Sequence, residues 1–139
     1  MPTRQLRTEH ADLVRLSRQL RKLLYRPALD GHAELLLYRE QFHKALVNHL
    51  ITEDWLLYPR LQASEDPEIA EMAGRFTSEM GGLRDSVHLW MAIWTPDAIA
   101  RGWHAFRSET EALLDALSVR IVRENRDLYP LLEKVAIEV

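Results

Sequence analysis

The chain has no cysteine, which excludes disulfide staples, thiolate zinc sites, iron–sulfur clusters and cysteine nucleophiles. A metal, if held, must be held by histidine and carboxylate. Glycine is scarce, at five residues in 139, so the composition is neither that of a disordered chain nor that of a low-complexity linker. No apolar run approaches membrane-spanning length, and the polar stretch from Met1 to Leu13 lacks the apolar core of a secretory signal. A cytoplasmic location is therefore the expectation, without membrane partners. An excess of positive charge is also missing: the formal net charge is −3 and the basic residues are scattered, so no footprint for nucleic acid is present. The cluster Arg15, Arg18, Arg21 and Lys22 reads as one solvated helix face.

What the chain does have is hydrophobic residues, 47% of the total, recurring at spacings of three and four rather than two. With a length typical of one domain, this predicts an all-α fold, a single four-helix bundle over residues 1–139 in antiparallel up-down-up-down order. The first helix runs from about Gln5 to Tyr25, with Leu6, His10, Leu13, Leu20 and Leu24 on one stripe, and stops before Arg26-Pro27. Asp30 is a candidate N-cap for the second, about Gly31 to Gln62, whose seam carries Leu35, Phe42, Leu46, His49, Glu53 and Leu56. Asp66-Pro67 reads as cap plus first residue of a third helix ending near Trp94, with Ile69, Ala73, Phe76, Met80, Val87 and Met91 inward and Gly81-Gly82 weakening its middle. Thr95-Pro96 starts the fourth, striped by Phe106, Thr110, Leu113, Leu117, Arg120, Glu124, Leu128 and Leu131, with Gly102 dividing off a short lead-in. Short connections between long amphipathic helices favour antiparallel neighbours, with sites built from inward side chains.

An internal repeat stands out. At an offset of 71 residues, the nine residues from Glu53 to Leu61 align with those from Glu124 to Leu132, and Glu, Leu, Tyr, Pro and Leu coincide. Each half is then a helical hairpin, with its proline late in a helix, where a lost amide bond and a kink are tolerated. Residues four apart share a helix face, so His49 and Glu53 point one way, as do their counterparts Arg120 and Glu124. His10 lies on the seam of the first helix, and His88, four residues after Arg84, lies near the inner edge of the third. A carboxylate on an apolar stripe is costly unless it meets a cation, a hydrogen-bond donor or a metal. Imidazole with bridging carboxylate and no thiolate suits iron, manganese or zinc.

His10 within Glu9-His10-Ala11-Asp12-Leu13, His49-Leu50-Ile51-Thr52-Glu53 leading into Leu57-Tyr58-Pro59, and Glu124-Asn125 leading into Leu128-Tyr129-Pro130 resemble the hemerythrin-like cation-binding family over nearly the whole chain. The resemblance implies a bundle holding two irons, bridged by two carboxylates and otherwise ligated by histidines, that binds dioxygen reversibly or senses oxygen and related molecules. By position Glu53 and Glu124 would be the bridging carboxylates, and His10 and His49 would serve one metal, with His88 a further ligand. The second half-site departs from the pattern: Arg120 stands where the family has a histidine before the second carboxylate, and Arg84 with His88 where the third helix presents two histidines. A guanidinium has no free lone pair and cannot ligate a cation.

Two expectations follow. The leading one is a metal-binding protein, with iron and His10, His49, Glu53, His88 and Glu124 as ligands, serving oxygen or redox sensing, binding or protection without substrate turnover. The other is a metal-free bundle kept as a regulatory or protein-interaction module, in which Arg120 and Arg84 pair with the glutamates. An oxygenase-type enzyme would want two Glu-x-x-His pairs, and the core positions have none. One ion, two or none, and a homo-oligomer or a protein partner, stay open. His32, His43 and His104 read as solvent-facing, Trp90, Trp94 and Trp103 as packing anchors, and Tyr58 and Tyr129 as residues packed near the kinks whose hydroxyls could approach the core.

Overall fold

A computed structural model describes residues 3–26 and 32–135, all helical or in short turns. The expected stop at Pro27 and cap at Asp30 fall outside those residues, as does the side chain of His32. Helix α1 is Arg4–Leu24, with Leu6, His10, Leu13, Leu20 and Leu24 buried on one stripe as its three-and-four spacing requires. A second rod comprises α2 (His32–Ile51), a π-helical segment (Thr52–Leu57) and α3 (Tyr58–Gln62). Then come α4 (Pro67–Met80), α5 (Leu83–Ile93) and the short α6 (Pro96–Arg101). The last rod is α7 (Trp103–Arg123), a second π-helical segment (Glu124–Leu128) and α8 (Tyr129–Val135).

Local chemistry fixes most boundaries. Asp66 accepts the Glu68 amide at 3.0 Å and Thr95 Oγ1 accepts that of Ala98 at 3.2 Å, each one residue before a proline whose missing N–H would be unpaired at that position anyway. The third helix is broken between Met80 and Leu83, where the Gly81 amide closes on the Thr77 carbonyl so tightly that a β-carbon there would collide with it. Among the described residues no helix is long and apolar enough to cross a membrane.

Helix α1 packs on α2 and α7, α2 on α5, and α5 on α7, while α3 packs on α4. The core falls into two apolar layers. One is built from Leu13, Leu20, Phe42, Leu46, Val87, Trp90, Phe106 and Leu117 with their neighbours. The other gathers Leu6, Leu57, Leu61, Ile69, Phe76, Leu128 and Leu132. Between them in sequence along their helices lie His10, His49, Glu53, Arg120 and Glu124, all buried. Arg39, also buried, donates to the Trp94 and Met91 carbonyls and so meets the carbonyl end of α5.

The two π segments correct the expected seam. Pro59 and Pro130 lack amides and crowd the carbonyl four residues earlier, Trp55 and Arg126, and the ladder relaxes into i→i+5 pairing just before each. A wider turn returns to the same face about one residue later, so Leu57 is buried and Leu56, expected inward, is 65% exposed. In the last rod Leu132 is likewise buried and Leu131 only partly so. Leu57→Ala should therefore destabilise the fold by about 2–5 kcal/mol and Leu56→Ala by no more than about 0.5 kcal/mol. Urea unfolding of the two variants checks the register; the opposite ranking contradicts it.

Candidate metal centre

Glu53 and Glu124 each stand at the opening of a π segment, 0% exposed. The repeat crosses over at this point. Tyr58 of the first half donates its hydroxyl to Glu124 Oε2 at 2.6 Å, and Tyr129 of the second donates to Glu53 Oε2 at 2.6 Å. The tyrosines, expected near the kinks with hydroxyls able to approach the core, supply one donor to each carboxylate from the opposite hairpin. Burial first, then the neighbouring carboxylates, raise both phenols above their ordinary range and keep them protonated.

Two imidazoles complete the layer. His49 Nε2 lies 3.0 Å from Glu53 Oε1, one turn away, and His10 Nε2 lies 3.0 Å from Glu124 Oε1. Their rings meet edge to face, with centroids 4.7 Å apart. Each turns its other nitrogen outward: His49 Nδ1 is 2.6 Å from Glu9 Oε1, and His10 Nδ1 is 2.8 Å from Asn125 Oδ1. One donor atom from each of His10, His49, Glu53 and Glu124 falls within 4.8 Å of every other.

The second half-site is filled by a side chain. The Arg120 guanidinium donates to Glu53 Oε1 at 3.1 Å, Glu124 Oε2 at 3.2 Å, Asp54 Oδ1 at 2.7 Å and the Met80 carbonyl at 3.3 Å. Arg84 is not its companion, contrary to expectation; it stacks on the Trp55 ring, 4.6 Å from the centroid. Nor does His88 join the cluster. After the glycine break α5 buries Leu83, Val87 and Trp90, and the residue next to Val87 points elsewhere: His88 is exposed and faces His43, centroids 6.1 Å apart. His43 is half-buried rather than solvent-facing, whereas His104 is exposed as expected.

The profile of the hemerythrin HHE cation binding domain matches residues 1–132. The chain belongs to that family. Comparisons with curated proteins and with solved structures find no match.

Within this hemerythrin domain the first half-site fits a cation on its own geometry. Despite the short distances, His49 Nε2 and Glu124 Oε1 are aligned for a hydrogen bond with no group among the described residues. A buried nitrogen and a buried carboxylate oxygen without partners are costly unless something that accepts lone pairs stands between them. The outward contacts agree. An Nδ1–H given to Glu9 or Asn125 leaves the Nε2 lone pair facing inward, the arrangement in which metal-ligating histidines are held. Sequence spacing could not find Glu9, Asp54 or Asn125 as parts of this hemerythrin site, because each meets its partner across two helices.

The electrostatics show a core short of positive charge. Burial acts against a charged His49, but Glu53, Glu9 and Glu124 outweigh it and lift its pKa to about 9. Burial likewise works to raise Glu53, and His49, Arg120 and Tyr129 outweigh that, holding it at about 2. Glu124 is raised, by burial and then by the charge of Glu53, with His10 and Arg120 only partly offsetting them. Without metal, a proton on His49 thus stands in for the missing cation. Because a cation must displace it, apparent metal affinity should rise about tenfold per pH unit from pH 6 to 8 and level off above about 9. The stability of the metal-free protein should run the other way, since a pKa raised from 6.5 stabilises fully below 6.5 and loses that contribution as pH rises through about 9. Zinc titrations and thermal unfolding across this range check both; a pH-independent affinity contradicts the assignment of His49.

Proposed function

We propose that this chain is a cytoplasmic hemerythrin-type protein that holds one metal ion, iron, through His10, His49, Glu53 and Glu124, and that serves oxygen or redox sensing, binding or protection. The observation that carries the proposal is the set of four buried donors within 4.8 Å of one another, with His49 Nε2 and Glu124 Oε1 in no aligned hydrogen bond among the described residues. Bound iron would supply affinity for dioxygen or a related small oxidant. The chain's own residues do the rest. Glu9 and Asn125 orient the imidazoles, Tyr58 and Tyr129 hold Oε2 of each carboxylate, and the apolar layers exclude water. We also propose the antiparallel up-down-up-down order of four rods, supported by the ring of contacts from α1 to α2, α5, α7 and back to α1.

A mononuclear site is favoured over the family's paired irons by Arg120. Its guanidinium lies against both carboxylates, at 3.1 and 3.2 Å, and supplies fixed positive charge where a second ion would need a histidine. The same contacts support the second reading, a metal-free regulatory or interaction module. Arg84, which that reading also invoked, takes no part.

Metal content distinguishes these readings. Protein produced with iron supplied should carry about one equivalent, and His49→Ala none, with helical content intact because packing of the leucine stripes dominates bundle stability. Arg120→Ala should lose about 3–5 kcal/mol of stability, the cost of leaving buried charges unpaired. Arg120→His should restore a neutral nitrogen donor, raise metal uptake and lose stability mainly in the metal-free form. Elemental analysis and thermal midpoints with and without iron check all four proteins. Iron-free wild type establishes the module instead, and an Arg120→Ala variant as stable as wild type contradicts the clamp.

A further inference from the structure

Glu9 lies outside the four donors and is only half-buried, its side chain 30% exposed against 2% for His49. Its position is nonetheless closely determined. Oε1 is 2.6 Å from His49 Nδ1, while Oε2 accepts from Gln5 Nε2 at 3.1 Å, one turn earlier on α1. The side chain therefore bridges the buried centre and the surface. Outside it is a pocket of about 250 Å³ whose apolar wall includes Leu6, Leu56 and Leu57. Leu56 forms part of this wall because the π turn displaced it from the core.

We infer that Glu9 is a positioning residue for the metal centre: from the wall of a solvent-open pocket it fixes the His49 imidazole by Nδ1, directs Nε2 at the cation, and thereby sets metal affinity. The inference rests on the metal-binding reading. An ionised carboxylate can only accept, so the nitrogen facing it carries the hydrogen, and a neutral imidazole then has its one lone pair on the opposite nitrogen. The two histidines are held differently. His10 Nδ1 meets the neutral amide oxygen of Asn125, whereas His49 Nδ1 meets a carboxylate, which makes the ring the stronger donor. Charge and acceptor geometry can be separated by substitution, since glutamine keeps an acceptor oxygen and loses the charge.

The test compares wild type, Glu9→Ala and Glu9→Gln by zinc competition against a chromophoric chelator and by ring ¹⁵N NMR of the zinc-loaded histidines. Glu9→Ala should bind zinc about 10–100-fold more weakly, the range measured for loss of an outer-shell partner. It should also lose the single Nδ1–H signature of His49. Glu9→Gln should retain that signature with an affinity between the other two. Equal affinity in all three, or an unchanged His49 signature in Glu9→Ala, overturns the inference while leaving the metal site standing. Wild-type protein that takes up no zinc overturns the metal reading and this inference together. Should Glu9→Ala fail to fold, Glu9→Gln carries the comparison alone, and wild-type affinity in that variant overturns the role of the carboxylate charge.

Discussion

Two carboxylates enclosed in a dry core must be neutralised, and most of the middle of this protein is arranged around that need. Glu53 and Glu124 are wholly buried, and an ionised carboxylate in such surroundings is tolerated only with charge and hydrogen bonds supplied from nearby. Two tyrosines, one arginine and two histidines answer the four oxygens. Tyrosines from opposite hairpins take Oε2 of each glutamate, Arg120 spans both residues, and the imidazoles approach Oε1 of each. The prolines belong to the same arrangement, for the π turns they induce end the polar layer and bring Tyr58 and Tyr129 beneath it.

The neutralisation is divided unequally. Arg120 is a permanent cation, held additionally by Asp54 and the Met80 carbonyl, and cannot leave without unpairing three acidic groups. The charge at His49 is exchangeable, a proton in the metal-free state and, in the proposed reading, a metal ion in the loaded one. In that reading the division would leave a core folded without its metal, which suits a site that gains and loses its ion rather than one that requires it to fold.

Much of this was legible in the sequence, and the limits have physical causes. Spacing along one helix placed His10, His49, Glu53, Arg120 and Glu124 inward, because a stripe at three-and-four intervals is a strong signal and a charged residue on it is conspicuous. Where the ladder changes pitch the rule fails: Leu56 was assigned to the seam on α-helical spacing, and the π turn rotates it into solvent. The stripe of α4 continues across the glycine break through Leu83, Val87 and Trp90, and Arg84 and His88 each stand one residue off it, which is why they lie off the site. Of the contacts between helices, the pairing of Arg120 with Glu53 was legible because a charged residue on a stripe needs a partner, but most others were not. Nothing in the local pattern says that Tyr58 serves the distant Glu124, or that Glu9, four residues from Leu13 on the same strip of helix, reaches His49.

The central claim is that the cluster holds one metal ion beside a guanidinium. Its most direct measurement is a crystal structure of iron-loaded protein with an anomalous difference map at the iron edge. The account predicts a single peak among His10, His49, Glu53 and Glu124, with Arg120 still against both glutamates. Two peaks with Arg120 displaced, or no peak in protein saturated with iron, would contradict it.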